Sequence, residues 1–181
     1  MSEFTKGDFL TSQVSPRRAT EVLIVLTIMV IAMGGMIRIY DAGESCPDWP
    51  TCFGTLGFDI SEEEQGEWWE ENPDEADSRG SGHRYTSFQI FTEWFHRLLA
   101  GALVGPLVIV NWFLVRREIW NSPRVQGVSS LTFALILWQG AVGWLTVKFD
   151  NENWSVAIHL GSALAFMISL IWLWIEIRRD E

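Results

Sequence analysis

Apolar residues gather into four long runs, covering 20–40, 88–115, 128–147 and 154–177. Each reaches the roughly 20 apolar residues that a helix needs to cross a bilayer. The segments VLIVLTIMVIAM and ALVGPLVIVNWFLV carry no polar stripe, so a soluble bundle with one wet face is excluded. Isolated glycines and Pro106 interrupt the later runs, as membrane helices tolerate when neighbours satisfy the backbone. The pattern predicts an all-α, polytopic membrane four-helix bundle made of two helix hairpins. Residues 1–19 and 178–181 are its tails, and 41–87 is one long connection.

Charge orients the bundle. Lys6, Arg17, Arg18, Arg116, Arg117, Arg124, Arg178 and Arg179 fall on one side, against Arg79, Arg84 and Lys148 on the other. By the positive-inside rule both termini are cytoplasmic, in a multi-pass protein of the cell membrane. Trp112, Trp120, Trp172 and Trp174 suit the inner interface, and Trp144 and Trp154 the outer one. Arg17-Arg18 before an apolar run resembles a twin-arginine signal, but no small-residue cleavage site follows, and an anchor is the better account.

The net charge of −10 removes nucleic acid from the partner classes. Thirteen of the 23 acidic residues lie between Asp41 and Ser87. The stretch 59–79 is poor in aliphatic residues, so a solvated, partly disordered loop is expected, with Trp68 and Trp69 dipping into the interface. Cys46 and Cys52 flank the Pro-stiffened turn CPDWPTC on the same side. An oxidising compartment and stiff prolines favour a disulfide there, and two unpaired thiols are the alternative. So short a closed loop gains little from chain entropy, so a bridge would fix local shape or be redox-active.

Three histidines exist, and His83 sits in the polar loop. His96 lies about eight residues below one end of the second run, ~12 Å at the helical rise. His159 lies about five residues into the fourth, ~8 Å down. Ionisable groups at that depth are costly and usually functional. Two imidazoles at one level on opposed helices fit axial ligation of a haem iron, whereas zinc would need further ligands and only Glu93 is near. A structural role, each histidine bonded to a neighbouring helix, is the duller reading.

Glu93 shares a helix face with His96. Arg38 and Arg97 are cations in the outer half of the bilayer, where haem propionates would explain them. Alternatively Arg38 snorkels to the interface and Arg97 pairs with Glu93 or another residue. Gln139 is a further polar group at the same level, and Gly140 and Gly143 would let a macrocycle or a helix approach closely. HRLLAGAL, starting at His96, loosely echoes HLGSALAF, starting at His159, so the chain reads as two related hairpins facing each other across a cofactor.

The ordered set of GGMIR (34–38), Gly43 with CPDWPTCFG, Glu93-x-x-His96-Arg97, Gln139-Gly140-x-x-Gly143 with Thr146-Val147, and His159-Leu160 resembles the heme A synthase family. That resemblance implies a membrane oxidoreductase. It would oxidise a methyl group of heme O to the formyl group of heme A by successive hydroxylations. By the same analogy His96 and His159 are axial haem ligands, Glu93 is catalytic at the reacting edge or in proton movement, and Arg38, Arg97 and Gln139 bind the cofactor. Cys46 and Cys52 correspond to the family's cysteine pair. The cofactor would be heme b, or heme O as substrate, with a heme O synthase and an electron-transfer protein as partners. Familiar members have eight membrane helices in two halves with a histidine pair in each; a homo-oligomer, dimer first, would restore eight here. The competing function is a b-type bis-histidine protein that only transfers electrons.

Overall fold

The computed structural model describes residues 15–75, 77–117 and 122–181; Lys6 and Trp120 lie outside them. Helix α1 (Pro16–Ile39) begins where the Ser15 hydroxyl accepts the Arg18 N–H and Pro16 fills the first turn, where its missing donor costs nothing. Helix α2 (Glu62–Glu71) follows within the long connection. Helix α3 (Ser87–Arg97) starts on a reciprocal cap between Thr86 and Gln89. It continues through a π-helical stretch, Leu98–Val104, into α4 (Gly105–Arg117). The Gly105 N–H reaches back five residues to the Ala100 carbonyl, and Pro106 supplies no donor at all, so the wider turn rearranges bonds that a regular helix would lose. This stretch begins immediately after Arg97. Helices α5 (Pro123–Lys148) and α6 (Asn153–Asp180) complete the described chain.

Four spans, Pro16–Ile39, Ser87–Arg117, Pro123–Lys148 and Asn153–Asp180, are long and apolar enough to cross a membrane. Their outward faces carry large apolar side chains such as Val25, Ile28, Phe113, Leu137 and Ile168, each more than half exposed. Water would penalise that surface, and lipid does not. The helices form a ring: α1 packs on α6 and on α3–α4, α4 on α5, and α5 on α6. Leu23, Val104, Val108, Phe166 and Leu170 meet at mid-height with Phe133 and Ile136 against them. Val115, Val125, Val128, Leu173 and Ile177 close the end that carries the termini. Core hydroxyls are satisfied by the carbonyl one turn back, as at Thr27, Thr132 and Thr146, which removes the penalty of a polar group in an apolar interior.

Tryptophans and cations cluster at both ends. Arg116 lies 3.6 Å over Trp112 and Arg178 lies 4.9 Å over Trp174 at the terminal end. Lys148 lies 5.7 Å from the Trp144 ring at the other, beside the Phe149–Trp154 pair. The α5–α6 turn is tight, with Asp150 and Asn151 at φ 46 and 52. Their short polar side chains tolerate the left-handed region better than most. Asn151 then donates to the Gly43 carbonyl at 2.7 Å, tying this turn to the long connection.

The expectation of a solvated, disordered acidic loop is corrected. Ser61 and Glu64 form a full capping box, and Glu62, Glu63 and Glu64 fill the first turn of α2, where the helix dipole favours carboxylates. The inward face of α2 presents Gln65 and Trp69, the latter only 2% exposed. Trp69 packs edge-on against Phe53 at 5.6 Å, in a core with Cys46, Cys52, Ile60, Tyr85 and Ile90. Trp68 and Trp94 pack half-buried against that cluster, so neither Trp68 nor Trp69 is a free membrane anchor. Buried Gln65 donates to the Ile60 and Tyr85 carbonyls and accepts the Tyr85 N–H at 2.8 Å, stitching the start of the segment to its end. Aromatic rather than aliphatic residues build this cap, and an aliphatic count is blind to them.

Candidate functional site

The two intramembrane histidines occupy equivalent settings between the cap and the mid-height core. His96, on α3, directs Nδ1 to the Val30 carbonyl of α1 at 3.1 Å. A Cβ added at Gly34 would come 3.4 Å from the His96 ring. His159, on α6, directs Nδ1 to the Gln139 amide of α5 at 3.2 Å. A Cβ at Gly143 would meet the His159 ring at 3.0 Å. In each hairpin the imidazole therefore lies on a glycine and reaches the residue four positions earlier on the same helix, Val30 before Gly34 and Gln139 before Gly143. The absence of a side chain at each glycine lets the imidazole lie close against the helix.

The donor set suits a haem iron. Neither Nε2 has a hydrogen-bond partner among the described residues; His96 Nδ1 meets a carbonyl, the arrangement that orients a metal-binding imidazole, whereas His159 Nδ1 meets the Gln139 NH2 group. Among the described residues no group of three or more His, Cys, Asp or Glu could hold a bare metal ion. Gly35, next to Gly34, and Gly140, three residues before Gly143, face open space.

The glycines differ in tolerance. Alanine at 143 must push the His159 ring by a few tenths of an ångström, whereas alanine at 34 sits at the edge of ordinary contact. Overpacking costs about 1–3 kcal/mol, while Ala for Gly in a helix gains about 1 kcal/mol. Gly143→Ala is therefore expected to lower the unfolding temperature in detergent, and Gly34→Ala to leave it level or raise it. Equal losses at both positions would contradict the unequal contacts.

Glu93, on α3, faces the cysteine loop. One carboxylate oxygen pairs with Arg97, and the other accepts the Ser45 hydroxyl at 3.0 Å and the Cys46 N–H at 2.9 Å. Arg97 spends its terminal nitrogens on the same loop, donating to the carbonyls of Cys46 at 2.7 Å, Asp48 at 2.6 Å and Thr51 at 3.5 Å. Cys46 and Cys52 are bonded as a disulfide, with Cα atoms 4.5 Å apart and both residues fully buried. Arg97 thus finds its carboxylate in Glu93, as the duller alternative had it. Arg38 bonds the Asn153 side chain at the start of α6 and is exposed, so it is the freer of the two cations for a further acidic group.

Beside the disulfide core lies a polar cluster that sequence reading passed over. Glu44 is buried, accepts the Ser78 hydroxyl at 2.8 Å, and lies 3.8 Å from Arg79. Burial raises its carboxyl above the usual range. The Tyr85 phenol, bonded to Asp77, is likewise pushed up, first by burial and then by that carboxylate. His83 stacks edge-on against Tyr85 at 4.7 Å, a structural place. Val30, Ser45, Ser162 and Asn153 were also missed. They act through a backbone carbonyl or a small hydroxyl, which no motif spacing announces.

Residues 17–181 match the family described as cytochrome oxidase assembly protein. Curated proteins named heme A synthase are similar to the chain. That of Caulobacter vibrioides is 34% identical over 177 residues, covering 83% of this chain and 47% of its own length. That of Shewanella oneidensis is 31% identical over 157 residues, covering 87% and 44%. A heme A synthase-mitochondrial ferredoxin fusion protein of Schizosaccharomyces pombe is 25% identical over 167 residues, covering 81% of the chain and 26% of that protein. The chain thus spans about half the length, or less, of the curated relatives it matches. No solved structure matches.

Proposed function

The chain belongs to the cytochrome oxidase assembly protein family, and from that premise we propose that it is a heme A synthase-type membrane oxidoreductase. In this reading it oxidises a methyl group of heme O to the formyl group of heme A by successive hydroxylations. The observation that carries the proposal is the pair of imidazoles, each seated on a glycine with Nδ1 held and with no hydrogen-bond partner at Nε2 among the described residues. His96 and His159 would hold the iron of heme O or heme b through those Nε2 atoms, and the bound haem would supply the redox chemistry.

The chain's own residues orient and enclose the group. Val30 and Gln139 fix the ring planes, and Gly34 and Gly143 set how near α1 and α5 approach. Arg38 is the cation for a propionate, in competition with Asn153. Arg97 acts at one remove, holding the disulfide loop over the His96 end of the site. Glu93 keeps Oε1 on that guanidinium and Oε2 on the loop, so a proton taken at Oε2 would loosen the Cys46 N–H bond. Catalysis and loop position are joined at this carboxylate.

Orientation follows the positive-inside bias, with both termini cytoplasmic and the disulfide cap on the oxidising side. The conversion oxidises the substrate carbon and so exchanges electrons with an outside couple, an acceptor where water supplies the oxygen and a donor where dioxygen does; an electron-transfer protein is the partner class, in keeping with the ferredoxin fused to the Schizosaccharomyces relative. A heme O synthase would deliver substrate, and a homodimer would bring eight spans together in the bilayer. The second reading, a bis-histidine electron carrier, is favoured by one observation: both Glu93 oxygens are already engaged. Co-expression with a heme O synthase and chromatography of the extracted haems separates the two. Heme A or its hydroxylated precursor supports the oxidoreductase. A folded haem protein that returns only heme O overturns it in favour of the carrier.

A further inference from the structure

We infer that Gln139 is a positioning residue whose amide sets the tautomer, and hence the iron-binding strength, of His159 alone. The inference rests on the haem reading above but concerns a contact already formed in the protein itself. Gln139 Nε2 lies 3.2 Å from His159 Nδ1 and 3.2 Å from the His159 carbonyl, and Ser162 donates to Gln139 Oε1. With the NH2 group against Nδ1, that nitrogen is the acceptor and the proton sits on Nε2, the atom a metal would need. A half-turn of the amide exchanges its oxygen and nitrogen, giving up the bond from Nε2 to the His159 carbonyl, from which Oε1 must then draw back. Oε1 then accepts from Nδ1–H, and Nε2 is left with its lone pair free.

Two features of the site support the half-turn. Ser162 can follow it, because its hydroxyl also lies 3.0 Å from the His159 carbonyl and can donate there while accepting from the turned amide. The other hairpin already shows the required arrangement: His96 Nδ1 meets an oxygen, the Val30 carbonyl, at the equivalent place four residues before the supporting glycine. A backbone carbonyl cannot turn. The first imidazole is fixed as a metal-ready ligand, and the second is switched by an amide.

The test uses the full-length chain in detergent, with Gln139→Met and Gln139→Glu beside the unaltered protein. In the haem-free chain, nitrogen-15 imidazole shifts should report an Nε2–H tautomer for His159 and an Nδ1–H tautomer for His96. Gln139→Met should shift His159 alone. On loading with haem, Gln139→Met should bind about 10–100-fold more weakly and show high-spin character, as expected when a supporting partner is lost. Gln139→Glu, a stronger acceptor, should restore the low-spin spectrum and lower the midpoint potential below that of the unaltered chain. Unchanged His159 shifts in Gln139→Met, or equal changes at His96, overturn the inference. Failure of the unaltered chain to bind haem sinks the haem reading instead, and the haem-free shifts still decide what Gln139 does.

Discussion

His96→Ala and His159→Ala are each expected to empty the purified protein of six-coordinate haem. Either substitution removes one of two candidate iron ligands, so the loss should exceed the roughly 10–100-fold typical of a missing supporting partner. The Soret band should fall or take on five-coordinate character, and co-expression with a heme O synthase should yield no heme A. Nearby side chains offer no replacement, because Glu93 is bound to Arg97, Ser45 and Cys46. Co-expressing the two variants asks whether the ligands come from one chain. If each site lies within a chain, the mixture stays empty. If His96 of one copy faces His159 of another, a mixed dimer regains one intact site, and haem returns in part. A normal spectrum in both single variants would remove haem ligation by these residues altogether.

The two hairpins explain why much of this molecule could be read from its sequence. Unbroken apolar runs leave a chain no stable home but lipid, so the four spans and their pairing follow from hydropathy alone. Depth along a helix is equally readable, because the rise per residue is fixed, and it predicted Gln139 at the level of His159, which it contacts at 3.2 Å. Contacts made by small or backbone groups were not readable. Gly34 is as plain a letter as Gly35, and only packing shows that the first lies under His96 while the second faces open space. The cap misled for a different reason. Segment 59–79 carries enough negative charge to look disordered, yet the acids of α2 lie on its exposed face and first turn, while Trp69 packs into the cluster that holds the disulfide and Gln65 bonds Ile60 and Tyr85. Helix starts moved as well: α5 begins at Pro123, five residues before the apolar run at 128, because Ser122 caps it and Pro123 can only open a helix. The π-helical stretch had a signal in Gly105-Pro106, but a tolerated proline and a rearranged turn look alike in one dimension.

Glu93→Ala is expected to have the largest effect on stability of any single change outside the ligands. The Glu93–Arg97 pair is shielded, with 5% and 15% of the two side chains exposed. Alanine leaves the guanidinium without a counter-charge and the Cys46 N–H without an acceptor, while the Ser45 hydroxyl keeps the Ala42 and Gln89 carbonyls. Breaking a buried pair from one side costs about 3–5 kcal/mol. Glu93→Gln keeps an oxygen for one of the three donors and gives up the charge, so about 1–3 kcal/mol is expected, the cost of unmet buried hydrogen bonds. The double change Glu93→Leu with Arg97→Met removes both charges and should recover part of the loss, because the remaining penalty is that of the freed loop carbonyls and the Cys46 N–H rather than of an unpaired charge. Two measurements read this out: thermal unfolding, and the rate at which Cys46 and Cys52 become open to thiol labelling under mild reductant. Both should worsen in the order Gln, then Ala, with the double variant milder than Ala. The aromatic cap is the rival anchor, since Phe53 and Trp69 pack around the same disulfide. If that packing alone holds the loop, Glu93→Ala will destabilise the bundle yet leave thiol labelling as slow as before, and the carboxylate will have no hold on the disulfide.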